Sequence, residues 1–147
     1  MPNWCENRVT VSGTPEEVKK FIEFVSGGEE AHFSFQAINP CPQELIDTPA
    51  SFGASEDKAR HEEMLNKYGY SHWYDRNVSE WGCKWDVGET AYYEYEEGSE
   101  YVTYEFETAW APPTGIYNTL VEKFPDLDIS WFYHEPGVQI AGYLNND

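Results

Sequence analysis

The spacing of apolar residues changes repeatedly along this chain, and each change marks an element. Val9 and Val11 alternate against Arg8 and Thr10, which predicts a strand over residues 4–11. Ser12-Gly13 closes it. Thr14-Pro15-Glu16-Glu17 then opens a helix, with Thr14 as N-cap, Pro15 at the first helical position and Glu17 at the third, a capping box. Val18, Phe21, Ile22 and Val25 form one apolar stripe on that helix, and Ser26-Gly27-Gly28 stops it. Phe33 and Phe35 alternate against Ser34 and Gln36, predicting a second strand over 32–38 that ends at Asn39-Pro40-Cys41-Pro42.

Residues 54–68 read as a charge-rich helix anchored by Ala59, Met64, Leu65 and Tyr68, exposed and packed on one side only. Tyr70, Trp73, Tyr74, Trp81 and Trp85 follow as aromatic loop positions. Residues 90–110 carry the clearest hairpin, around a two-residue Gly98-Ser99 turn with Glu97 opposite Glu100. That register sets Tyr95 opposite Val102, Tyr93 opposite Tyr104 and Ala91 opposite Phe106, all six on one face. Thr90, Tyr92, Glu94, Glu96, Tyr101, Thr103, Glu105 and Glu107 fall on the other. A helix over 113–124 follows, with Ile116, Tyr117, Leu120, Val121 and Phe124 as its stripe. Leu127, Ile129, Trp131 and Tyr133 alternate as a strand, Glu135-Pro136-Gly137 turns, and residues 138–144 return as the last strand.

The element order is β-α-β-(insertion)-β-β-α-β-β. Without the insertion and the extra edge strands it becomes β-α-β-β-α-β, the ferredoxin-like split βαβ arrangement: an α+β fold with two helices on one face of an antiparallel sheet. At 147 residues the chain is expected to form a single ferredoxin-like domain over 1–147, with 43–88 as a helical and aromatic insertion within it. The other sheet face is either open or covered by the insertion. A strand beginning near residue 4 implies no leader, signal peptide or N-terminal anchor.

Composition adds a surface to this frame. Nine basic and 27 acidic residues leave a net charge of −18, and 17% of the residues are aromatic. Phosphate binding needs clustered Lys and Arg, whereas the basic residues here are scattered, so direct nucleic-acid binding is not expected. The acidic surface fits a basic partner, cations, or solubility alone. No run approaches the roughly 20 apolar residues of a membrane span, and mean hydropathy is −0.68. Cys5, Cys41 and Cys83 form no paired framework, which points to a reducing cytosol and to three small buried hydrophobes.

Several blocks carry a resemblance: residues 1–9 (MPNWCENRV), 35–45 (FQAINPCPQEL), 81–86 (WGCKWD), 108–113 (TAWAPP), 133–137 (YHEPG) and Gly142-Tyr143. Together they resemble the YubB ferredoxin-like family of plasmid and phage proteins, in order and over nearly the whole chain. The resemblance implies a ferredoxin-like domain carried by mobile elements and acting in a bacterial cytoplasm. It implies no known activity, no catalytic residues and no iron–sulfur cluster. Cys83 stands where the family pattern often has Thr, which argues against a cysteine role there.

Two candidate sites emerge. The first is the acidic hairpin face: Glu94 and Glu96 on one strand, Glu105 and Glu107 on the next. Carboxylates two residues apart on a strand lie about 6.8 Å apart, of the order of phosphate spacing in nucleic acid. Such a row could occupy the nucleic-acid groove of a host defence or regulatory protein. The plain alternative is a solvated outer face that discourages aggregation. The second site is an aromatic cleft between sheet and insertion, with Trp81, Trp85 and Trp110 as walls and Asp86 orienting a base, sugar or peptide. Against it stands the reading in which those indoles are core and residues 108–113 are a rigid corner with Trp110 inside. His32, His61, His72 and His134 lack metal-ligand spacing, no calcium loop is present, and no nucleophile elbow or phosphate loop occurs. No catalytic residue, metal or cofactor is therefore expected. The sequence reads as a non-enzymatic binding module for a host protein, a basic nucleic-acid-binding one being one class that the acidic face could fit; the alternative is a small-ligand protein or small enzyme using the aromatic cleft. Whether it is a monomer or a dimer is left open.

Overall fold

The computed structural model describes residues 3–29, 31–50, 55–87 and 90–145. Ala54, the expected helix start, and residue 88, the expected end of the insertion, lie outside them. Strand β1 (Trp4–Ser12) leads through Thr14 into helix α1 (Pro15–Val25), and the Thr14 hydroxyl accepts from the Glu17 N–H as the cap pattern requires. Short helices α2 (Phe35–Ile38) and α3 (Gln43–Ile46) follow, then α4 (Ser55–Tyr68) and α5 (Trp73–Glu80). Strands β2 (Tyr92–Glu94) and β3 (Tyr101–Ala109), helix α6 (Thr114–Lys123), and strands β4 (Asp128–Glu135) and β5 (Ile140–Tyr143) complete the order.

The sheet runs β2-β3-β1-β4-β5, every neighbour antiparallel. Its first four strands have the split βαβ order, and β5 extends the β4 edge. Tyr93 faces Tyr104, so the register expected for the hairpin holds over the three residues of β2, but Glu97 lies in the turn and not opposite Glu100. The turn itself is centred on Glu97-Gly98: the Ser99 N–H donates to the Glu96 carbonyl at 2.9 Å, and Gly98 takes a φ of 84°. Positive φ at the third turn position is what glycine permits at no steric cost, so Gly98 sits one place later in the turn than expected.

Three expectations are corrected. Residues 32–38 are not a strand. Ser34 caps a single helical turn, and the distant Asp86 carboxylate accepts from the Ser34 hydroxyl and from the Phe35 and Gln36 N–H groups at 2.8–3.1 Å. Those donors would otherwise seek a sheet partner; β2 takes the strand position beside β3 instead. Residues 73–80 form a helix, capped where the His72 ring accepts from the Asp75 N–H, so Trp73 and Tyr74 are helical and not loop residues. On α4, Met64 and His61 are buried, whereas Ala59 and Leu65 face solvent.

Phe33 explains why the segment after α1 belongs to the core. Its ring lies 5.0 Å from both Tyr104 and Phe106 on β3 and 6.0 Å from Trp131 on β4. Phe21 and Phe124 bring α1 and the end of α6 into the same aromatic layer. Helix α2 packs against α1 and α6, and within the insertion α3 packs on α5, which in turn meets α6, on the covered side of the sheet. The opposite sheet face is open. Among the described residues no helix is long and apolar enough to cross a membrane.

Candidate functional site: the open face of the sheet

Most of the distinctive sequence blocks are used for architecture. Trp81 is 3% exposed; its indole N–H donates to the Asn39 carbonyl, and its own carbonyl accepts from Gly115 and Ile116 at the start of α6. Asp86 spends both carboxylate oxygens on α2 and on the Val87 N–H. Buried Asn7 accepts from the Trp131 indole and donates to Thr108, whose hydroxyl donates to the Ala111 carbonyl. Buried Glu135 accepts from the Gly137 and Val138 N–H groups and ties the β4–β5 turn. Arg76 is buried over the Trp81 ring and donates to the Asn39 and Pro40 carbonyls. Burial also holds the thiols protonated, pushing Cys5 up to about 11 and Cys83 up to about 12, which makes both poor nucleophiles.

What packing leaves over is a set of exposed indoles at one end of the sheet. Trp85 is 43% exposed and Trp110 is 52% exposed. Trp110 lies outside the core because it takes a φ of 72° at the end of β3, where its N–H donates to the Asn3 carbonyl. The corner expected over 108–113 is present, but its indole points outward. Trp4, which pairs with Ala109 across β1 and β3, meets Trp85 with ring centres 6.3 Å apart. The expected cleft is therefore not assembled as a set: Trp81 and Asp86 are internal fixtures, Trp110 is exposed at the end of β3, and Trp85 stands against Trp4, a residue the sequence pattern did not single out. Its place at the first position of an edge-to-solvent alternation, Trp4-Glu6-Arg8-Thr10, was the available signal.

The acidic hairpin face is exposed as expected, but its charges are interleaved. Glu105 lies between Tyr92 on β2 and Arg8 on β1, and Arg8 Nε approaches its carboxylate at 3.6 Å. Glu94 faces Thr103. Glu107 faces Glu6, whose carboxylate lies 3.2 Å from His134 Nδ1 on β4. Glu96 is exposed beyond the end of β2. The four expected residues do not form one regular row; Glu105 and Glu107 join Glu6, Arg8, Trp4 and Phe132 around a groove of about 690 Å³. Tyr92, Tyr101 and Tyr143 extend the exposed aromatic surface around it. Among the described residues, no cluster of three or more His, Cys, Asp or Glu side chains has the arrangement of a metal site.

The split βαβ strand order agrees with a comparison at the level of sequence families. Residues 80–147 match the family model described as the ferredoxin-like domain in Api92-like protein. The fold is ferredoxin-like. The match covers a little under half of the chain and includes β2 to β5 and α6. A crystal structure of the protein api92 from Yersinia pseudotuberculosis, of the DUF1281 family, aligns with a TM-score of 0.61 over 97% of this chain and 93% of that one. At 12% identity, that likeness concerns the fold alone. No curated protein matches the chain.

Proposed function

We propose that the protein is a non-enzymatic binding module that engages a basic partner protein through the open face of its sheet. The observation that carries this reading is the groove on that face, where Glu6, Glu105 and Glu107 lie beside Trp4 and Phe132. The chain's net charge of −18 would draw a basic partner to it. Exposed aromatic side chains supply the contact area that a purely solubilising surface does not need. The sequence blocks that resemble the YubB family support an origin on a phage or plasmid, and hence a host protein as partner. A nucleic-acid-binding host protein, its groove occupied by carboxylates in place of phosphates, is the class of basic partner we favour.

Reversal of charge tests this reading. The variant Glu94→Lys, Glu96→Lys, Glu105→Lys, Glu107→Lys should keep its fold and lose binding to the partner identified by affinity capture. Wild-type binding should weaken as salt rises. A folded quadruple variant that binds as wild type would overturn the proposal.

A second reading is favoured by the groove's size, which lies within the roughly 300–1,000 Å³ typical of ligand sites. A small cationic or aromatic ligand would then occupy it, with Trp4 and Phe132 as walls. Thermal-shift screening of metabolites separates the two: a stabilising ligand lost in Trp4→Ala, together with no protein partner, favours the second.

A further inference from the structure

We infer that the groove between Trp4, Glu6, Glu107 and Phe132 is a seat for an arginine side chain of the partner, an inference that rests on the binding reading above. Glu6 and Glu107 are direct partners across β1 and β3, on the same open face. Side chains so placed have Cβ atoms roughly 4.5–5.5 Å apart, and like charges in that position repel. Glu107 forms no ion pair with any described residue, and Arg8, the nearest basic side chain on β1, is held one rung away by Glu105. The facing carboxylates thus present a negative site that the chain does not itself neutralise, apart from the His134 contact to Glu6.

The walls select the cation. Trp4 stands two residues before Glu6 on the same face, backed by Trp85, and Phe132 rises across β1 beside Arg8. A guanidinium is planar and weakly hydrated, stacks on aromatic faces, and donates two parallel N–H bonds to carboxylates. An ammonium is a strongly hydrated point charge and uses flat walls less well. The chain stacks a guanidinium on an indole in its interior, where Arg76 lies 5.3 Å from the centre of the Trp81 ring, and beside the groove Lys84 Nζ lies 4.2 Å from the centre of the Trp85 ring and 5.8 Å from that of Tyr74. Lys84 thereby occupies Trp85, while Trp4 remains a lining residue of the groove. A phosphate or carboxylate ligand would meet Glu6 and Glu107 with the wrong sign.

The test is a titration with three peptides of equal length and Ser spacing, carrying arginine, lysine or citrulline. Indole fluorescence and calorimetry follow binding at low salt. Proteins are the wild type, Trp4→Ala, Glu107→Gln and, as a control on the exposed far side of α6, Glu122→Gln, each checked for fold by circular dichroism. The arginine peptide should bind at least about threefold tighter than the lysine peptide, a stacking contribution of the expected size, and the citrulline peptide should not bind. Trp4→Ala should remove the arginine preference, Glu107→Gln should weaken both basic peptides, and Glu122→Gln should match wild type. Equal binding of arginine and lysine peptides, unaffected by Trp4→Ala, would overturn the arginine seat while leaving a basic-partner surface standing. Failure of both basic peptides to bind would overturn both readings.

Discussion

At the scale of single residues, Trp81 and Trp85 lie four apart in one sequence block and have opposite fates. Trp81 is a buried brace whose indole and carbonyl join Asn39 to the start of α6; Trp85 is a platform for Lys84. Nothing in the local pattern separates the two, because the choice is made by which partner lies across the fold. Asp86 has the same lesson: the block was legible as special, but its carboxylate closes a helical turn 50 residues earlier in the chain. Asp86→Ala should therefore lower stability in urea by about 1–2 kcal/mol, the usual cost of a lost helix cap, and leave binding by the folded protein unchanged. Gly115 is a second fixed point. A Cβ there would sit 1.9 Å from the Glu80 carbonyl oxygen, against backbone that cannot move aside cheaply. Gly115→Ala should cost about 1–3 kcal/mol or more in the same measurement. The buried thiols give a pH dependence. Their protons are held more tightly in the folded chain than in the unfolded one, which titrates near 9. This contribution to stability is complete below pH 9 and is lost as pH rises through about 11 to 12, so melting temperature should fall across that range. Replacing Cys83 by Ala should flatten part of the decline.

At the scale of elements, β1, α1, β3, α6 and β4 were legible because each buries one periodic face. The caps and register agreed with that period, as in Thr14 before α1 and Tyr93 opposite Tyr104. The expected strand at 32–38 failed because two alternating phenylalanines satisfy a strand pattern without requiring a strand. Phe33 and Phe35 are buried from a capped turn, and the burial, not the period, is what the sequence encodes there. Phe33→Ala should cost about 3–5 kcal/mol, since it removes a ring shared by β3 and β4. A cost below about 1 kcal/mol in chemical denaturation would mean that the segment after α1 is peripheral to the core. The candidate site was half legible for a related reason. Alternation identified Glu105 and Glu107 as outward-facing, but only the pairing of β1 with β3 reveals that Glu6, Arg8 and Trp4 complete the surface.

At the scale of the whole molecule, the helices and the insertion occupy one side of the sheet and leave the other to solvent. That exposed side carries aromatic rings and carboxylates in one continuous region, and the chain's charge makes it attractive to basic surfaces over a distance set by ionic strength. The exposed Arg8–Glu105 pair contributes little to stability in such a setting, so the face can be altered without unfolding the protein. Direct location of the binding surface is the decisive measurement. Amide chemical shifts of the labelled protein would be followed while the arginine peptide is added at low salt. The shifts should concentrate on Trp4, Glu6, Glu105, Glu107 and Phe132, on adjacent strands of the open face. Shifts centred instead on α1, α4 or α6, or none at saturating peptide, would contradict this.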